Sequence, residues 1–197
     1  MRVLVTGGTG FVGSHSVKAL VDAGHEVRLL VRSPERIAPA LAPHGIDAPD
    51  HVVGDVTDPD AVGRALDGCD AVIHAANIYK LDSRAAQEML HVNPRGTELV
   101  LRGAHERGLD PIVHVSTLVA LLPARERVLT PDAPLGSPPG AYARSKVEAE
   151  RIARELQDAG APVVIVSPGG VLGPHDPHGS DFVLIALDVL RGRNPFR

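Results

Sequence analysis

Cysteine is almost missing from this chain: Cys69 is the one thiol in 197 residues. An intrachain disulfide is thereby excluded, and a reducing cytoplasm is the expected setting. Long apolar runs are missing too. No stretch approaches the eighteen or so uninterrupted apolar residues of a membrane span, and no charged leader with a long apolar core stands before the first strand-like run. A soluble protein without a membrane partner is expected. Nor does charge of one sign accumulate, since 20 Lys and Arg face 24 Asp and Glu, interspersed, for a net charge of -4. That balance offers nothing to a phosphate backbone or an anionic lipid surface, so a nucleic-acid partner is not expected. What is plentiful is apolar side chain, 44% of the residues, enough at this length for one well-buried domain and too little for two full ones.

The first motif opens the chain. Val3-Leu4-Val5 is followed at once by Thr6-Gly7-Gly8-Thr9-Gly10-Phe11-Val12-Gly13, which leads into a helix-patterned stretch ending near Ala23. Strand, glycine turn and helix in that order are what a dinucleotide pyrophosphate needs. Gly7 allows the sharp exit from the strand, Gly10 lets backbone N–H groups reach the phosphates, and Gly13 lets the helix pack closely. The phosphates would lie at the positive end of that helix. Taken alone, the pattern also fits an ordinary tight turn.

Short β-branched runs then alternate with longer helical patterns. Strands are predicted at Arg2 to Thr6, Glu26 to Arg32, His51 to Gly54, Ala71 to His74, Ile112 to Ser116 and Val163 to Ser167. Helices are predicted at Val12 to Ala23, Pro59 to Leu66, Ser83 to Arg107, Ala141 to Ala159 and Ser180 to Arg191, with a shorter one at Pro34 to Leu41. Such alternation implies an α/β fold: a Rossmann-like, doubly wound parallel sheet in the order 3-2-1-4-5-6, with helices on both faces. Ligand would bind beyond the carboxyl ends of the strands. The Pro- and Gly-rich stretch from Thr130 to Gly140 would form the rim of that site.

A second constellation is Tyr142-Ala143-Arg144-Ser145-Lys146, and Tyr142 is one of only two tyrosines. Four residues apart on a helix, phenol and ammonium share a face. A nearby cation favours phenolate and would bring the phenol toward the neutral range as a general acid or base. The bland alternative is a surface cation lying along a ring. Hydroxyls at Ser116 and Thr117 close the fifth strand and would point into the same crevice.

These residues together resemble a family, the short-chain dehydrogenase/reductases, and within it the extended, epimerase/dehydratase-like branch. The likeness runs in order through the glycine turn, Gly54-Asp55-Val56-Thr57-Asp58, His74-Ala75-Ala76, Val92-Asn93-Pro94-Arg95-Gly96-Thr97, Val113-His114-Val115-Ser116-Thr117, Tyr142 with Lys146, and Ser167-Pro168-Gly169-Gly170-Val171-Leu172-Gly173-Pro174. The resemblance implies that Gly7, Gly10, Phe11, Val12 and Gly13 hold the pyrophosphate, that Asp55 and Val56 meet the adenine, and that Ala75 and Ala76 lie under the riboses. It also implies Thr117 as the hydroxyl that bonds the substrate oxygen, with Ser116 as fallback, and Tyr142 as the proton carrier. Lys146 would lower the tyrosine's pKa and hold the nicotinamide ribose, and Pro168, Gly169 and Val171 would touch the nicotinamide. For Asp55 a helix-capping role remains open, as does a purely structural role for Asn93.

Coenzyme preference is read at the end of the second strand. NAD-preferring relatives place an acid there, roughly twenty residues beyond the turn; this sequence has Val31-Arg32-Ser33. Arg32 can pair with a 2′-phosphate, so NADP is favoured, with NAD left open. The expected function is an oxidoreductase interconverting a small-molecule carbonyl and a secondary alcohol, in a branch that looks dihydroflavonol-reductase-like. A nucleotide-sugar epimerase or dehydratase with bound NAD, and a non-catalytic dinucleotide sensor, are the alternatives; a homodimer is left open. Extended members continue for roughly half as much again into a substrate lobe, so residues 1–197 are read as the nucleotide-binding domain of a longer enzyme. Three further expectations are that Pro94 kinks its helix or shifts its start, that Cys69 is a buried structural thiol, and that the apolar side of Phe182 to Leu190 packs on the sheet. His175, Asp176, His178 and Asp181 lack the fixed spacing of a metal site, and none is predicted.

Overall fold

The computed structural model describes residues 1–193 apart from 48, 81, 125, 126 and 178. Strands β1 (Arg2–Thr6), β2 (Glu26–Val31), β3 (Asp50–Val53), β4 (Ala71–His74), β5 (Ile112–Val115) and β6 (Val163–Val166) form one sheet in the order β3-β2-β1-β4-β5-β6. Every pairing is parallel. The doubly wound order is the predicted one, and the strand ends differ from the predicted ones by at most a residue. Helices α1 (Phe11–Asp22), α2 (Ile37–Leu41), α3 (Pro59–Leu66), α4 (Ala86–Glu106), α5 (Ala141–Asp158) and α6 (Asp181–Leu190) are joined by short 3-10 turns, among them Leu118–Leu121 directly after β5.

Alternation along the strands sends side chains into two cores. Leu4, Leu30, Val72 and Ile112 meet α3, α4 and α5 through Val62, Leu66, Leu101 and Leu156. Val3, Val5, Leu29 and Val31 meet α1 and α2 through Val17, Ile37 and Leu41 on the other face. Burial on both faces is why these strands read as continuous apolar runs. The local signals act where they stand: Asp58 caps α3, its side chain accepting from Asp60 N at 3.0 Å, with Pro59 at the first helical position.

α4 continues as helix through Pro94 for 21 residues, the packing of α4 against the sheet and α5 outweighing one lost backbone bond. One expectation fails: the apolar side of α6 is not buried on the sheet. Phe182 is 54% and Leu190 83% exposed, and the contact at its start is the Phe182 ring lying over Gly170. Helical spacing specifies an apolar stripe, not the surface that covers it. Among the described residues no helix is long and apolar enough to cross a membrane.

Candidate active site

The sheet's carboxyl edge carries a polar row. Thr6 of β1 is in register with His74 of β4, and His74 with His114 of β5. All three are buried. Thr6 Oγ1 accepts from the Ala76 N–H at 3.2 Å and lies 2.8 Å from His74 Nδ1. Thr97 Oγ1 donates to the Asn93 carbonyl at 2.9 Å, so its 3.1 Å contact with His74 Nε2 must be accepted there. The network therefore assigns the Nε2–H tautomer, with the Thr6 hydroxyl donating to Nδ1. The two imidazoles stack at 5.8 Å.

Burial holds both rings neutral. The pKa of His74 falls to about 3, from desolvation first and the Lys146 charge second, and that of His114 lies well below its ordinary value for the same reasons. In the unfolded chain both rings protonate near their ordinary value, so the stability they contribute is complete above that value and is lost as pH falls from about 6.5 toward about 3. Thermal midpoints measured from about pH 7 down to about pH 4 are expected to fall with a slope on the order of two protons, lessened in His114→Phe. A midpoint level across that range would contradict it.

Above this row sits the glycine turn. Gly7 has φ +73°, and a Cβ there would stand 2.6–2.8 Å from the backbone of Ala75 and Ala76. At Gly13 a Cβ would stand 2.0 Å from the Gly7 carbonyl oxygen. Gly10 N–H closes the turn onto Gly7 O at 2.9 Å, and α1 starts at Phe11 with its N-terminus toward the cradle. The expected small-residue floor, Ala75 and Ala76, thus lies directly beneath the turn. Beyond β3, Asp55 accepts from Thr57 N at 2.8 Å and Thr57 Oγ1 at 2.7 Å. It therefore does not cap α3, a role Asp58 fills, and Val56 packs on Gly96 of α4. Beyond β2, Arg32 is 61% exposed along its side chain and lies 3.8 Å from Asp55 Oδ2. Beyond β6, the segment bearing Pro168, Gly169 and Val171 is tied to the β5 end by the Leu118 N–H donating to Pro168 O at 2.9 Å. It is also tied to α1, through His15 Nε2 at 2.9 Å from Pro174 O and Gly173 against the Phe11 ring.

The proton-handling groups are placed differently from one another. Thr117 is half-buried just past β5, its Oγ1 accepting from Val119 N at 3.3 Å and so capping the 3-10 turn. Ser116, the fallback, is buried and donates to Glu150 Oε2 at 2.5 Å. It faces the α5 side of the sheet rather than the crevice, as alternation past β5 requires. Tyr142 packs edge-on to Tyr79 at 4.8 Å, and Tyr79 follows Ile78, whose N–H and C=O both bond the Asn93 amide at 2.7 and 3.0 Å. That pair of bonds gives Asn93 a structural part: it fixes the loop on which the tyrosines meet. Lys146 is 3% exposed and donates to the Val115 carbonyl at 3.0 Å. Burial brings its pKa down to about 8, opposed by the charge of Glu150. The phenol of Tyr142 moves upward, by burial. The expected lowering by Lys146 is thus corrected, because the ammonium is turned into the end of β5 and desolvation governs the ring.

The epimerase/dehydratase family model, described as the NAD dependent epimerase/dehydratase family, matches residues 3–192. The chain belongs to that family. Among similar proteins, one from Synechocystis, provisionally named as a dihydroflavonol 4-reductase, is 33% identical over 97% of this chain and 55% of its own length. A Stigmatella aurantiaca ketoreductase acting on a 4-hydroxy-2-methyl-3-oxo-4-farnesyl-3,4-dihydroquinoline-1-oxide is 32% identical over 97% of this chain and 55% of its own. Among solved structures, a double mutant of the dTDP-glucose 4,6-dehydratase DesIV of Streptomyces venezuelae, with NAD bound, superposes with a TM-score of 0.80 at 31% identity, over 98% of this chain and 63% of DesIV. This epimerase/dehydratase-family chain thus spans about half the length of the curated relatives it matches. The resemblance to the extended short-chain dehydrogenase/reductases read from the motifs holds.

Within this family member, sequence reasoning missed the Thr6–His74–Thr97 network and the pairing of Glu150 with Ser116 and Arg154. Polar residues at strand ends look like crevice residues until register shows their face; the one available signal was the four-residue spacing of Lys146, Glu150 and Arg154. Cys69 is buried as expected, and burial raises its thiol. Of the histidines weighed as metal ligands, His178 is outside the described residues. His175 instead meets the His44 ring at 5.2 Å. Among the described residues no group of three or more side chains could hold a metal.

Proposed function

We propose that this chain is the nucleotide-binding part of an NADP-dependent oxidoreductase that interconverts a carbonyl and a secondary alcohol. One observation carries the reading: a glycine cradle that side chains would fill, at the positive end of α1, opens onto the same sheet edge as Thr117, Tyr142 and Lys146. The cradle fits a pyrophosphate, with Asp55 and Val56 on the adenine side, Ala75 and Ala76 under the riboses, and Pro168, Gly169 and Val171 on the nicotinamide side. A bound nicotinamide supplies or accepts the hydride. Thr117 donates a hydrogen bond to the substrate oxygen, Tyr142 gives that oxygen its proton in reduction, and Lys146 keeps a cation beneath them. Consumption of NADPH with a panel of small ketones and aldehydes tests the reading, on the full-length protein. Turnover with any of them supports it, whereas coenzyme that stays bound through gel filtration with no net consumption would favour the sugar epimerase or dehydratase class to which DesIV belongs.

NADP preference rests on Arg32. It is exposed, its guanidinium lies 3.8 Å from the Asp55 carboxylate, and it follows directly on Val31, the last residue of β2, where an acid would repel a 2′-phosphate. NADPH is expected to bind more tightly than NADH, and Arg32→Ala is expected to narrow that gap about tenfold. Fluorescence titration of both coenzymes checks it; equal affinities in the parent protein would overturn the preference.

A further inference from the structure

Lys146, Glu150 and Arg154 stand four residues apart on α5 and share one face. All three are used at the end of β5. Lys146 donates to the carbonyl of Val115 at 3.0 Å, and the next residue, Ser116, donates to Glu150 Oε2 at 2.5 Å. Glu150 Oε1 accepts from Arg154 Nη2 and Nε at 2.6 and 3.1 Å, while Arg154 Nη1 reaches the Ala133 carbonyl at 2.8 Å. One line of polar contacts thus joins the loop before α5 to the last residues of the strand, and the residue after Ser116 is Thr117. Glu150 is 1% exposed. Arg154, its partner, keeps a quarter of its side chain exposed, and an ion pair that desolvates its carboxylate in this way is often no more stabilising than apolar side chains of the same volume, so fold stability alone gives little reason for it.

We propose that Glu150 is a positioning residue: it holds the end of β5, and with it Thr117, against the Lys146 turn of α5, and supplies the buried negative charge that faces the lysine. The inference rests on the oxidoreductase reading above. Other groups around Lys146 do not supply that charge. His74 and His114, from β4 and β5, are neutral; Tyr142, on its own helix, is held as phenol; α4 brings Asn93 and Thr97, which are uncharged, and the 3-10 turn brings Leu118 and Leu121. Asp132 and Asp158 line the same groove of about 560 Å3 as Glu150 and Arg154, but Glu150 is the group whose charge acts on Lys146.

The test is the titration of Lys146, followed by NMR of 13C-labelled lysine in the full protein without coenzyme, beside the pH profile of kcat/KM. In Glu150→Gln the lysine midpoint is expected to fall from about 8 by about a unit, with the profile moving the same way. Glu150→Asp is expected to bring it back toward the parent value. Ser116→Ala keeps the charge and frees the strand end, so the midpoint is expected to stay while kcat drops about tenfold at unchanged KM for coenzyme. Should Glu150→Gln fail to fold, Arg154→Gln is expected to raise the midpoint by removing the cation that shares the carboxylate with the lysine. A midpoint unmoved by Glu150→Gln, or by Arg154→Gln in its place, would overturn the inference and leave Glu150 a fold residue. Failure of the oxidoreductase reading is seen separately, as absence of turnover in the parent protein with its lysine titration intact.

Discussion

Tyr142→Phe is expected to lower turnover by about 10² to 10⁴ while leaving coenzyme affinity nearly unchanged. The substitution keeps the ring, and with it the edge contact to Tyr79 and the packing beside Ile78, Ala85 and Met89. Only the hydroxyl is lost. Burial raises the phenol's pKa, so the group is protonated at neutral pH, which suits an acid that delivers a proton to an alkoxide as it forms. Run in reverse, the same group must first lose its proton. Alcohol oxidation is therefore expected to quicken with rising pH over a range where carbonyl reduction is level. Steady-state kinetics in both directions, with coenzyme affinity from fluorescence titration, check both statements. A Phe variant that turns over like its parent would remove Tyr142 from the reaction.

Gly13→Ala is expected to weaken dinucleotide binding by at least about 100-fold and to lower the thermal midpoint by several degrees. The new methyl would stand 2.0 Å from the Gly7 carbonyl oxygen and 2.9 Å from the Gly8 Cα, so it meets backbone that no rotamer change can clear. Either α1 slides outward or the turn opens. Overpacking of this kind costs about 1–3 kcal/mol, and in a domain of this size each kcal/mol shifts the midpoint by about 2–4 °C. The binding loss is larger than the stability loss because the displaced atoms are the ones that face the phosphates. Isothermal titration with NADPH and a melting curve check it; tight binding retained by the variant would mean the phosphates lie elsewhere.

Much of this arrangement was legible in the residues, for reasons that differ by element. β1 and β4 were readable to the residue because both are central, covered on two faces and closed by glycine or alanine pairs. The glycine turn was readable because close approach of backbone to backbone leaves few side chains to choose from. What stayed hidden depended on facing. Ser116 and Thr117 are adjacent hydroxyls, and only the alternation fixed by strand register sends the first into the core against Glu150 and leaves the second to cap the following turn. Lys146 was read as a neighbour of the tyrosine from its four-residue spacing, yet its long side chain reaches the Val115 carbonyl, a choice spacing cannot express. The stripe on α6 shows the same limit, since periodicity says which side is apolar and is silent on what lies opposite.

The sheet that divides the two cores has a consequence for how damage combines. Leu41 projects from α2 into one core and Leu101 from α4 into the other, with the sheet between the two clusters. Truncations at such remote positions sum in free energy. Stabilising repairs placed under α1 and α2 therefore offset losses incurred under α3, α4 and α5, kilocalorie for kilocalorie, without altering the polar machinery those helices carry.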